Sequence, residues 1–220
     1  MDKDFEFFEQ NMRREQEEKL DRFRILNQEA RKGEILFTGS SLMEQFPIHE
    51  LMMNDGMDLV IYNRGIGGFT TRDMMEHMEE MVFGTEPSRI FINIGTNDMN
   101  APDFSQDRLL ENYKAILRQI QERLPAAEID VMAYYPVNEV DKVPDGPWGK
   151  TLFVNRTNRT IDRLNQALEK LAEKLGCRFI NVNKGLTDEN GRLKKEYTIE
   201  GVHMYANGYR VVLDNLKACL

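Results

Sequence analysis

The sequence predicts an α/β fold: a parallel five-stranded sheet covered by helices on both faces. Three observations predict it. Five short apolar runs, ILFTG (35–39), LVIYN (59–63), RIFINI (89–94), EIDVMAYY (128–135) and RFINV (178–182), alternate with helical patterns near 71–83, 106–124, 156–175 and 206–218. The runs are apolar almost throughout rather than every second residue, as parallel strands buried on both faces require. The chain has 220 residues and no dividing linker, repeat or low-complexity segment, which suits one core.

Taken in order, residues 2–32 read as a helix, with Phe5, Phe8 and Met12, then Leu20, Phe23 and Leu26, at helical spacing around a polar stretch. This divides the chain into an N-terminal helical arm (1–32) and a main domain (33–220). The arm's apolar residues imply that it covers its own domain or contacts a second copy in a homo-oligomer. Gly176 stands where the helix after the fourth strand should be capped. Two segments break the rhythm. Residues 136–154 hold three prolines, two glycines and the only tryptophan, Trp148, and Asn183–Val202 is about 20 residues long. Connections in such folds usually run about 2–6 residues, and longer ones are often functional. The 136–154 segment is therefore expected to border a substrate pocket, with Trp148 as an apolar contact.

Composition excludes several classes. Net charge is −8 with no Lys/Arg stripe, which disfavours nucleic acid. No run reaches the length of a membrane-spanning helix, and the charged N-terminus lacks a secretory pattern, so a cytoplasmic protein is the default expectation. Cys177 and Cys219 sit in no metal-binding or CxxC spacing and are expected to be free thiols. The absence of GxxxxGK[ST] disfavours phosphoryl transfer.

Ligands of open α/β sheets bind beyond the carboxyl ends of the strands, near the switch in strand order. The chain places Gly39-Ser40-Ser41, then Asn63–Gly68, then Gly95-Thr96-Asn97-Asp98 at the ends of its first three strands. With the order 2-1-3-4-5 these turns converge. Ser41 would open a helix, whose N-terminus favours developing negative charge. Gly68 can bring its N–H close to a ligand, and Asn97 offers an amide donor, so the three could surround an oxyanion. Of three histidines, His49 lies in an expected loop and His77 on an expected solvated helix face. His203 follows Glu200 by three residues; the acid could hold Nδ1 and leave Nε2 to accept from a serine. If the fifth strand lies three positions from the first, His203 must cross roughly 14 Å, which the long 183–202 connection allows. Singly, each residue has a plainer role: Ser41 as a helix cap, the glycines and Asn97-Asp98 as turn residues.

Four blocks in order, ILFTGSSLMEQF, NRGIGGFTT, GTND and TIEGVHMYANGY, resemble the SGNH (GDSL-type) hydrolases over residues 34–218. The resemblance implies a flavodoxin-like three-layer αβα fold that needs no cofactor or metal. It implies an esterase or lipase in which Ser41 is the nucleophile, His203 the base and Glu200 the orienting acid. Ser41, Gly68 and Asn97 supply the oxyanion hole. The implied partner is a small-molecule ester: a short acyl ester, an acetylated sugar or a lipid. The chain departs from the family pattern at Ser40 and Phe69, each in place of Asp, and at Glu200, where the family has Asp. The departure at Glu200 and the long N-terminal arm keep a catalytically silent scaffold in view, and an O-acyl transferase using the same acyl-enzyme is a further alternative.

Overall fold

In the computed structural model, which describes residues 3–145, 149 and 152–220, five parallel strands run in the order β2-β1-β3-β4-β5. They are β1 (Ile35–Gly39), β2 (Ile61–Gly65), β3 (Arg89–Asn93), β4 (Glu128–Met132) and β5 (Arg178–Ile180). The helices are α1 (Lys3–Gln28), α2 (Ser41–Glu44), α3 (Ile48–Asn54), α4 (Thr71–Glu76), α5 (Met78–Met81), α6 (Gln106–Arg123), α7 (Asn158–Lys174) and α8 (Ala206–Leu216). The architecture and strand order are those expected from the sequence.

Successive side chains of a strand point to opposite faces, and the two cores divide on that rule. Leu36, Ile90, Ile92, Ile129 and Val131 face one layer, formed by α1 and α4–α7. Phe37, Phe91 and Met132 face the other, formed by α2, α3 and α8. In α7 the buried residues are Ile161, Leu164, Leu168 and Ala172, a single stripe at helical spacing. Thr157 caps its N-terminus, and Gly176, at φ +70°, follows its end, as the sequence predicts.

Some boundaries differ from the expectation. The segment read as one helix over 71–83 breaks at His77, whose φ of −127° separates α4 from α5. His77 is half-buried, its ring 5.7 Å from that of Phe69, rather than on a solvated face. His49 lies in α3, not in a loop, with Nε2 2.6 Å from the Ile61 carbonyl. Leu26 is exposed, while Leu20 and Phe23 of α1 are buried in the domain's own core. Asn27 fastens the same helix: its Nδ2 donates to the Glu80 carbonyl and its Oδ1 accepts from buried Arg64 Nε, both at 2.9 Å. The second half of α1 thus packs as part of the domain. The side chains of Phe5 and Phe8, and all of Trp148, lie outside the described residues. Among the described residues no helix is long and apolar enough to cross a membrane.

Candidate active site

The carboxyl ends of β1, β2 and β3 bring three turns together. Gly39, at φ +152°, ends β1 where an added Cβ would collide with the Asn93 carbonyl, so β1 and β3 can close only around glycine. Ser40 is the N-cap of α2, fully buried, and its N–H donates to the Asn93 carbonyl at 3.2 Å. Ser41 is the first helical residue rather than the cap, so the plainer capping role does not apply to it. The backbone of α2 is held by side chains from other elements: Tyr209 Oη donates to the Leu42 carbonyl at 2.9 Å and Asn63 Nδ2 to the Met43 carbonyl at 2.7 Å.

His203 arrives from the far side of the sheet on the 181–205 connection, as its length allows. Its Nε2 is 2.8 Å from Ser41 Oγ. Its Nδ1 is 2.6 Å from Glu200 Oε1, and the same oxygen accepts the His203 backbone N–H at 2.9 Å. Both side chains are mostly shielded, at 16% exposure for Glu200 and 23% for His203. Burial pushes the Glu200 carboxyl up, but its bonds to His203, the imidazole's charge and the N–H groups of His203 and Val202 outweigh this and hold it below the ordinary range. The turn carrying the pair is stitched from within and from outside. Thr198 Oγ1 accepts the Gly201 N–H at 2.7 Å and donates to the His203 carbonyl at 3.0 Å. Asn138 N–H donates to the Gly201 carbonyl at 2.8 Å, and Lys142 Nζ to the Thr198 carbonyl at 3.3 Å. The described part of the 136–154 segment therefore braces the Glu200–His203 turn.

The second turn separates its glycines by task. Gly67 N–H donates to the Glu44 carboxylate, and the Gly67 carbonyl accepts from Gln16 Nε2 at 2.7 Å. Lys19 pairs with the same Glu44. Gly68, at φ +80°, has Gln16 and Met12 of α1 standing where a Cβ would be. Among the described residues the N–H groups of Ser41 and Gly68 meet no acceptor. Asn97 closes the set: Nδ2 donates one proton to the Phe69 carbonyl at 3.0 Å, leaving the second without an acceptor among the described residues, and Oδ1 accepts from Arg156 Nη2 at 3.0 Å. Desolvation pushes the Arg156 guanidinium down to about 10, against the opposing pull of Glu200. Asp98 accepts the Thr71 N–H at 2.9 Å, tying this turn to α4.

The structure thus brings together Ser41, His203, Glu200, Gly68 and Asn97. Sequence reasoning misses Gln16, Lys19, Glu44, Asn138, Thr198 and Arg156. Thr198 lies just before the Glu200–His203 turn and Glu44 three residues after Ser41; the others reach the site over long chain separations. Chemically, the arrangement offers a hydroxyl proton a base already in hydrogen-bond contact, and offers nearby negative charge N–H groups that meet no acceptor among the described residues.

Residues 49–211 match the GDSL-like lipase/acylhydrolase family. That is most of the chain. The chain belongs to the GDSL-like lipase/acylhydrolase family. By family it is an acylhydrolase enzyme of the esterase–lipase type, and the SGNH resemblance holds. The matched stretch includes Gly68, Asn97, Glu200 and His203 and begins after Ser41. A solved platelet-activating-factor-type protein from Streptococcus pneumonia is 33% identical, with 98% of this chain and 97% of that one covered and a TM-score of 0.87. Platelet-activating factor acetylhydrolase IB subunit alpha2 of Rattus norvegicus is 24% identical over 84% of this acylhydrolase and 75% of its own length. The N-acylneuraminate cytidylyltransferase of Escherichia coli is 26% identical over 82% of this chain, which spans only 38% of that longer protein.

The contact between α1 and the second turn has a measurable consequence. Gln16→Ala removes the bond to the Gly67 carbonyl, and the loss of about 1 kcal/mol is expected to lower the melting point by about 2–4 °C. A thermal melt checks it; an unchanged melting point would make the bond energetically idle.

Proposed function

We propose that this acylhydrolase cleaves carboxylic esters through an acyl-enzyme on Ser41. The observation that carries the reading is the chain Ser41 Oγ–His203 Nε2–His203 Nδ1–Glu200 Oε1, at 2.8 and 2.6 Å. As Ser41 Oγ attacks the acyl carbon, His203 Nε2 takes its proton. Glu200 accepts from Nδ1, fixes the productive tautomer and stabilises the imidazolium. The carbonyl oxygen gains a full negative charge and is held by the N–H groups of Ser41 and Gly68 and by Asn97 Nδ2. Collapse breaks the ester C–O bond, and His203 returns the proton to the leaving alcohol. Water then attacks the acyl-enzyme with His203 again as base, releasing the carboxylic acid and restoring Ser41.

A short acyl group is the favoured substrate. The acetylhydrolase name of a relative supports this. Turnover is read on p-nitrophenyl esters of increasing chain length, with acetate expected to be the best. In the same assay Asn97→Ala is expected to lower kcat by ~10²–10³ with little change in KM, as for loss of one oxyanion donor. An effect confined to KM would make Asn97 a ground-state binding group only.

A further inference from the structure

Arg156 lies just before α7, only 3% exposed. Its Nε and Nη2 donate to the Thr96 carbonyl at 3.3 and 2.8 Å, and Nη2 also donates to Asn97 Oδ1 at 3.0 Å. These acceptors are neutral, and among the described residues no carboxylate forms an ion pair with it. Arg89, by contrast, has the Asp130 carboxylate at 2.8 Å, and Arg64, whose acceptors are also neutral, lies over the rings of Phe23 and Tyr62. A guanidinium buried against neutral oxygens is costly, and this one is held against the amide of a candidate oxyanion donor.

A guanidinium has donors and no acceptor, so the Asn97 oxygen must face it and the Asn97 nitrogen must face away. One Nδ2 proton is then spent on the Phe69 carbonyl, and the second is available beside the turn that carries Gly68. Accepting from a cation also polarises the amide and makes that second N–H a stronger donor.

We infer that Arg156 is a positioning residue for ester hydrolysis, locking the Asn97 amide so that Nδ2 meets the developing oxyanion. This rests on the ester-hydrolase reading. Arg156 acts through Asn97, and the carboxylate of Glu200, which already pulls on its charge without an ion pair, is joined by a second negative charge as the carbonyl oxygen becomes anionic. The benefit therefore belongs to the transition state and falls on kcat rather than KM.

The test is a double-mutant cycle on the full-length protein with p-nitrophenyl acetate, using Arg156→Met, Arg156→Lys, Asn97→Ala and the paired variants, with thermal melts as the folding control. Arg156→Met is expected to lower kcat by ~10–10²-fold, with KM within about threefold, part of what an oxyanion donor itself contributes. Arg156→Lys keeps the charge but not the two-acceptor fork, and should fall between Met and the parent. In the Asn97→Ala background either substitution should cost less than about threefold further, because the two residues act as one. A purely structural arginine would instead give losses that multiply, or a lower melting point with unchanged kcat, and either result overturns the inference while leaving ester hydrolysis intact. Should the Met variants not fold, the Lys cycle decides on the same criterion. A parent that neither turns over the acetate nor reacts with a fluorophosphonate overturns the hydrolase reading and this inference with it.

Discussion

Ser41→Ala is expected to lower kcat on short esters by on the order of 10⁴–10⁶-fold, the scale of losing a nucleophile that works as a unit with its base. The fold should survive. Among the described residues Ser41 Oγ bonds only to His203 Nε2, and α2 is held by the Tyr209 and Asn63 bonds to the carbonyls of Leu42 and Met43. Alanine is also the better helix former. The melting point should therefore stay within about 2–4 °C, the span of a 1 kcal/mol change for a domain of this size. Steady-state kinetics with a parallel melt check both halves. Undiminished turnover by the folded variant would mean another residue makes the acyl-enzyme.

Glu200→Gln carries the second largest expected effect, a loss of ~10²–10⁴-fold, the scale of removing general acid–base help. Glu200 Oε1 accepts both the His203 N–H and Nδ1. An amide oxygen in that place would keep those two bonds and the tautomer they impose. What glutamine removes is the negative charge that stabilises the imidazolium formed when Ser41 attacks. Glu200→Asp keeps the charge on a shorter arm and should retain part of the activity. The pH dependence follows from the sign of the shift. The Glu200 carboxyl is held below its ordinary range, so its contribution to stability is complete above about 4.3 and is lost as the pH falls through its lowered folded value. The melting point of the parent should therefore drop more steeply than that of Glu200→Gln on acidification below that range. Equal activity of parent and Glu200→Gln would assign the imidazolium-stabilising task to another group and leave Glu200 a structural acid of its turn.

Much of this geometry is legible in the sequence where the signal is local. The strands stand out because both faces are buried: Leu36 and Phe37 are fully buried in different cores. Glu200 and His203 are legible as a pair because an acid three residues earlier on a turn reaches the ring. Other features escape for physical reasons. The apolar run at 59–63 is shifted from β2 because Leu59 precedes the strand and is 38% exposed, whereas Arg64 lies inside it and is buried under α1. The helix α3 escapes because Pro47 and His49 read as a loop and its seven residues offer too few turns for a period. Glycine spacing alone cannot choose between Gly67 and Gly68; the choice depends on Glu44, 23 positions away, taking the Gly67 N–H. Arg156 escapes entirely, since its bond to Asn97 spans 59 positions.

The most direct measurement is labelling the full-length parent with a fluorophosphonate, followed by peptide mass mapping of the adduct. Ser40 and Ser41 are neighbours, but Ser40 is fully buried and only Ser41 touches His203. The predicted result is one adduct per chain, on Ser41, lost in Ser41→Ala and formed far more slowly in Glu200→Gln. An adduct on Ser40, or no adduct on a folded parent, would contradict Ser41 as the nucleophile of an ester hydrolase.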